Sequence, residues 1–225
     1  SLFTESNINA IRNIYSREDI SFSDLRQSNF QADYVIIGPE NFKDEAENLL
    51  VLRSPSVYAS IEKIYLEFSA GNPDPLAIRN FIQWTQEMWA EPYPSCVLFL
   101  GESGYDYRNI TGQSTILVPT IQVQSSRSYA TDDQLVALYG SIPEVATGRY
   151  PARNEQEVTN FVEKIVNIEN KTEYGPWRQK VTLIADDAAR PEPKHGSIAT
   201  GKSHTINSEQ LATVIPSSIQ IEKIY

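Results

Sequence analysis

Apolar positions along this chain follow two rhythms, and their alternation predicts an α/β fold. Order begins at Asp33-Tyr34 with VIIG, a short apolar run that reads as a buried strand. Pro39 then punctuates it. Phe42, Ala46, Leu49, Leu50 and the stem of Arg53 recur at helical spacing and predict a helix over 40–53. VYASIEKIY at 57–65 is ambiguous, with β-branched and aromatic residues favouring a strand over its first half. Gly71-Asn72-Pro73 make a turn, Asp74 is an N-cap, and Pro75 takes the first helical position, where a missing N–H leaves nothing unpaired. The inward stripe Ala77, Ile78, Phe81, Ile82, Thr85, Met88 and Trp89 follows, and Pro92 and Pro94 end it. CVLFLG at 96–101 is a second buried strand. Apolar strands separated by amphipathic helices predict a parallel sheet with helices on both faces.

Beyond residue 101 the pattern loosens. Residues 102–133 are rich in loop formers, and TILVPTIQV predicts a strand interrupted by Pro119, which suits an edge or a crossing between sheets. The organisation expected is a lead-in segment over 1–32 with at most one short helix, over 6–15. A first α/β subdomain over 33–120 and a partial second one over 121–225 follow. In the second, VALYG and EVATG read as short strands, and Asn154 with Glu157 forms a capping box for a helix over 155–170. That helix buries Val158, Phe161, Val162, Ile165 and Val166. A buried strand over 181–185, a polar loop over 188–203, a short helix over 207–214 and a strand over 219–225 complete the reading.

Composition narrows the function. The 225 residues, 40% hydrophobic, are enough for one large domain or two small ones with a real core. A net charge of −10 and a pI near 4.7 argue against binding nucleic acid through its phosphates or docking on an anionic membrane. The longest apolar run, 96–100, is too short to span a bilayer. Cys96 is the only cysteine, so no internal disulfide is available, and its place in that run reads as a small core residue. The chain opens on SLFTESNIN and stops on IQIEKIY, within what reads as a strand, so a piece of a longer protein is expected. The sheet edge this would leave bare predicts dimers or soluble oligomers caused by truncation.

In open parallel sheets ligands bind beyond the carboxyl ends of the strands. Glu102 and Asp106 follow the strand 96–101, Asp186 and Asp187 follow 181–185, and Asp132-Asp133 sit in a third loop. Oxygen ligands gathered from loops suit Ca²⁺, although turn-forming and capping acids look the same in sequence, and the spacing is not that of an EF-hand. GESG at 101–104 lacks GxGxxG and a following Lys, and no GxSxG is present, so neither a dinucleotide site nor an α/β-hydrolase nucleophile is supported. His195 and His204 have no zinc spacing. Arg149 and Arg153 flank a Tyr-Pro-Ala turn and suit either pairing with local acids or contact with an anion.

Five collinear stretches then add up: KIYLEFSAGNPDPLAIRNFIQW at 63–84, VLFLGESGYDYRN at 97–109, YATDDQLVAL at 129–138, ATGRYPARNEQEVTNFVEKIVNIE at 146–169 and WRQKVTLIADD at 177–187. As a set they resemble the gingipain-type cysteine peptidases; IYLEFSAGNPDP and GRYPAR point to the sortase branch of the type IX secretion system in Bacteroidetes. The resemblance covers about residues 33–225 and implies a caspase-like, doubly wound α/β fold of two side-by-side subdomains, the second incomplete. It implies a His-Cys dyad for peptide-bond cleavage or transpeptidation, a protein or peptide substrate, and a secreted, periplasmic or cell-surface parent. In that family the histidine lies in a Gly-His-Gly context after the strand and helix that follow IQIEKIY, and the cysteine comes later. Cys96 is on the wrong strand, and neither His195 nor His204 has glycine on both sides. The resemblance further implies a supporting acid, Asp187 or Asp186, and structural calcium held by loops of this half, for which Glu102, Asp106, Asp132 and Asp133 are the candidates. Two functions fit: the leading part of a cysteine peptidase domain, inactive alone, or a non-catalytic partner-binding module from a paralogue of the secretion machinery.

Overall fold

A computed structural model describes residues 25–26, 30–124, 128–170, 175–186 and 201–225. The helix expected over 6–15, Asp187 and His195 lie outside them. The described chain divides between Asn170 and Lys171 into two compact units.

The first unit is built on a four-stranded parallel sheet of order β2-β1-β3-β6. Its strands are β1 (Tyr34–Gly38), β2 (Ser56–Ser60), β3 (Cys96–Leu100) and β6 (Ala146–Tyr150). β1 and β3 are central, paired in register from Tyr34↔Cys96 to Ile37↔Phe99. Their side chains alternate between two cores, which is why their sequences are apolar without a break. Val35, Ile37, Val97 and Phe99 face one core, with α2 (Ile61–Ser69), α3 (Pro75–Met88) and α4 (Asp133–Val136) on that side. Ile36, Leu98 and Leu100 face the other, beneath α1 (Lys43–Leu52) and α5 (Glu155–Asn170). This is the doubly wound α/β arrangement expected from the sequence.

Local signals fix most of these elements. The ambiguous stretch 57–65 is a strand that becomes a helix: the Ser60 hydroxyl accepts the Lys63 amide and starts α2. Asp74 Oδ1 accepts the Leu76 amide at 2.9 Å and caps α3. The capping box of α5 forms, with the Glu157 amide donating to Asn154 Oδ1 and the Glu157 carboxylate accepting the Arg153 amide. Met88 differs from the expected stripe: it is 42% exposed, because α3 ends there and Trp89 turns inward instead.

Beyond residue 101 some of the expected elements are corrected. VALYG is not a strand; Val136 closes the short helix α4, and Leu135, Val136 and Leu138 enter the first core. Of TILVPTIQV only β4 (Ile121–Val123) is strand, paired antiparallel with β5 (Tyr129–Thr131). The compact units part at 170/171: β6 joins β3 in the first sheet and α5 packs on α1.

The second unit pairs β7 (Lys180–Ile184) in parallel with β8 (Gln220–Ile224), joined through α6 (Gly201–Val214). Lys223 Nζ bonds Glu209 Oε2 at 2.6 Å and ties β8 to that helix. The helix is longer than the expected 207–214. β7 is not buried as expected; Lys180, Thr182 and Ile184 are exposed on one of its faces. None of the described helices is long and apolar enough to cross a membrane.

Candidate functional site

The carboxyl edge of the first sheet is organised around one arginine. Arg149 is the fourth residue of β6, paired with Phe99 in β3, and its guanidinium lies 5.1 Å from the Phe99 ring centroid. It is held bidentate: Nε bonds Asp132 Oδ2 and Nη2 bonds Asp132 Oδ1, both at 2.7 Å. Nη1 donates to the carbonyls of Gly101 at 2.8 Å and Val118 at 2.9 Å. One side chain thus joins the loop after β3, the segment leading into β4 and the turn after β5. The pair is mostly buried, with the Arg149 and Asp132 side chains 14% and 20% exposed.

Gly101 makes this junction possible. Its φ of +151° is open to glycine and strained for other residues, and a Cβ would come within 2.9 Å of Val118 Cγ2. Its N–H donates to Tyr150 O while its carbonyl meets Arg149. Next along, the Glu102 carboxylate takes Arg153 Nη2 at 2.8 Å and the Thr115 hydroxyl at 3.2 Å, and its carbonyl accepts the amides of Leu117 and Val118.

A cleft of about 330 Å³ opens beside this junction, lined by Ser103, Gly104, Tyr105, Thr120, Ala130, Thr131, Asp132 and Arg149. The hydroxyls of Ser103 and Thr120 are buried without a hydrogen-bond partner among the described residues.

Of the acids singled out in the sequence, Glu102, Asp106, Asp132 and Asp133 belong to the first unit and Asp186 to the second. Asp132 is taken by Arg149 and Glu102 by Arg153. Asp106 accepts the Ile110 amide, the Thr111 amide and the Thr111 hydroxyl at 2.7–2.9 Å, closing its own loop. Asp133 opens α4 and is exposed. Asp186 is exposed after β7. Among the described residues no group of three or more His, Cys, Asp or Glu side chains is placed to hold a metal ion. The donor set of Glu102, Asp106 and Asp132 therefore does not fit calcium as placed, because their oxygens already answer cationic or N–H partners.

Asp106 carries a direct prediction. The Thr111 hydroxyl first, then the Thr111 and Ile110 amides, hold its carboxyl below the ordinary aspartate value. A lowered folded pKa contributes stability above the unfolded value, about 3.9, and loses it as pH falls through the folded value. The Asp106 carboxyl carbon is therefore expected to titrate below ~3.9. Thr111→Val should return it toward that value, and a titration that Thr111→Val leaves in place would contradict this account.

Cys96 opens β3 at the amino end, the far end from the cleft. At about 3.3 Å per residue, a strand of this length separates its two ends by more than 10 Å. Cys96 is half-buried rather than a core residue, and the Ser95 hydroxyl lies 3.7 Å from its sulfur. His204 is exposed on α6. Sequence reasoning missed Ser103, Thr120 and Thr131 as cleft residues: isolated hydroxyls in a loop-rich stretch carry no signal until the chain brings them together. Arg149 was visible beside a turn, but its acid is the distant Asp132.

Comparisons with known proteins bear on the family and the fold. The profile of Peptidase family C25 matches residues 27–225. The crystal structure of dimeric latent PorU from Porphyromonas gingivalis superposes with a TM-score of 0.54 at 26% identity, over 65% of this chain and 16% of that one. A structure described as that of a protease superposes with a TM-score of 0.52 at 16% identity, over 73% of this chain and 34% of that one, and shows the shared fold. The chain thus spans about a sixth and a third of the two solved chains. No curated protein matches it. The fold is of the caspase-like α/β kind.

Proposed function

Because the chain belongs to peptidase family C25, the gingipain family, we propose that it is the leading part of a cysteine endopeptidase or sortase domain, one that needs residues beyond its own to cleave. The match over 27–225 carries this reading, in a chain that spans 16% of the PorU chain it resembles. The parent is read as a secreted, periplasmic or cell-surface protein acting on protein substrates, with the type IX secretion sortases as its functional class.

The position of the only thiol supports the second half of the proposal. A cysteine nucleophile needs a base at hydrogen-bond distance and a pocket around the scissile carbonyl. Cys96 has the Ser95 hydroxyl beside it, at the amino end of its strand, where doubly wound sheets do not form ligand crevices. The first unit then serves as a scaffold: Arg149, Asp132 and Gly101 lock three loops at the edge from which ligands are approached.

The test uses the chain and its full-length parent side by side. The chain alone is expected to cleave no casein or fluorogenic peptide, and the parent is expected to do so. Cys96→Ser in the parent should leave that cleavage unchanged. Loss of cleavage in that variant, or cleavage by the isolated chain, would overturn the reading.

A further inference from the structure

Leu25 and Arg26 are held on the α2–α3 face in the way a bound peptide is held. Neither belongs to a helix or strand, and among the described residues neither makes a backbone–backbone hydrogen bond. Side chains answer the backbone of Leu25 instead. Its amide donates to Glu67 Oε1 and its carbonyl accepts the Trp89 indole N–H, both at 3.3 Å. Its side chain is 3% exposed and enters the first core. Arg26 is exposed, yet its side chain is fixed. Nη2 donates to the Glu67 carbonyl at 2.6 Å, and the guanidinium lies 4.5 Å from the Phe68 ring centroid and 5.3 Å from that of Trp84. One residue is thus read through its N–H, its C=O and its side chain, and the next through its charge. Backbone ladders accept almost any residue, whereas side-chain contacts of this kind select leucine and then arginine.

The groups that make the site belong to α2, to α3 and to Trp89 directly after it. None of their contacts depends on the ligand being part of the same chain. Two aromatic rings and a carbonyl oxygen surround the guanidinium, so a carboxylate in its place would be repelled. A lysine lacks the flat fork that lies against two rings while it donates. Each exposed cation–π contact is weak, which lets the resident pair leave. The net charge of −10 attracts a basic segment and opposes a second copy of the same acidic chain. We infer that the α2–α3 face is a docking site for an extended basic segment of a partner protein that carries leucine followed by arginine, with Leu25 and Arg26 as its resident occupants. Neither Cys96 nor cleavage enters this inference, so it stands or falls apart from the peptidase reading.

The experiment titrates the full chain, labelled at its indole nitrogens, with acetyl-Gly-Leu-Arg-Gly-amide. In Leu25→Ala/Arg26→Ala, which empties the site, the peptide is expected to move the Trp84 and Trp89 indole signals saturably toward their positions in the parent chain. The parent chain, whose own pair competes, is expected to need more peptide for the same response. Lysine in place of the peptide's arginine should weaken binding about two- to fivefold, the worth of one exposed cation–π contact. Glutamate there should abolish it. Where the double variant does not fold, Arg26→Ala keeps Leu25 in the core, and ethylguanidinium should then move the Trp84 signal saturably. The inference is overturned by no saturable shift in either variant, by equal affinity of the parent and the double variant, or by equal affinity of the arginine and glutamate peptides. Dimers of the parent chain that the peptide disperses would give the site to a second copy and overturn it as well.

Discussion

Replacing Arg149 by methionine is expected to destabilise the first unit by about 3–5 kcal/mol, the range for removing one partner of a buried ion pair. The side chain is 14% exposed and its partner Asp132 is 20% exposed. Its loss strands the Asp132 carboxylate and leaves the carbonyls of Gly101 and Val118 without donors. It also removes the cation from above the Phe99 ring. Methionine keeps much of the volume, so the effect reports the polar contacts rather than a cavity. Removing the stranded charge as well, in Arg149→Met/Asp132→Leu, should restore more than half of the lost stability, because an apolar pair costs less than an unpaired charge. Urea unfolding of the two variants checks both statements. A single variant within about 1 kcal/mol of the parent, the range of exposed salt bridges, would mean that water reaches this pair and that the junction is not held by it.

A comparable loss, about 3–5 kcal/mol, is expected for Phe81→Ala, the usual cost of deleting a fully buried aromatic side chain. Phe81 is fully buried on the inner face of α3. It meets Phe68 and Trp89 edge to face, with centroids at 5.6 and 5.9 Å. Trp89 in turn stacks on Phe30 at 5.2 Å and donates its indole N–H to the Leu25 carbonyl. The cavity would therefore loosen the segment around Phe30 as well as the core. The Ala90 amide, which bonds the Phe30 carbonyl, and the Ala32 amide, which bonds Pro92, should lose hydrogen-exchange protection before the β1 amides do. Uniform loss of protection across β1 and these amides would contradict the chain of contacts from Phe81 through Trp89 to Phe30.

Much of the first unit was legible because its determinants are local. YVIIG and CVLFLG carry no charged residue, which suits a strand covered on both faces. Asp74-Pro75 and Asn154-x-x-Glu157 announce helix starts through hydrogen bonds that close within three residues. The family resemblance was legible for the same reason, since it rests on contiguous stretches such as GRYPAR and LEFSAGNPDP. The stretch 102–145 was not. VALYG has strand-like residues, but Leu135 and Val136 are placed by the first core, which accepts them as a helical turn.

The sequence by itself determined the order of strands and helices, the parallel sheet they form and the family to which the chain belongs, because periodicity, caps and contiguous motifs act over a few residues. Only the tertiary structure decided that Arg149 pairs with Asp132, that Glu102 answers Arg153, and that Ser103 and Thr120 line one cleft. These partners stand up to 51 residues apart, and a hydrogen bond depends on where the folded backbone sets two groups, for which the spacing between them in sequence carries no record. Three of the acids show the consequence: Glu102 answers Arg153, Asp132 answers Arg149, and Asp106 closes its own loop on Ile110 and Thr111.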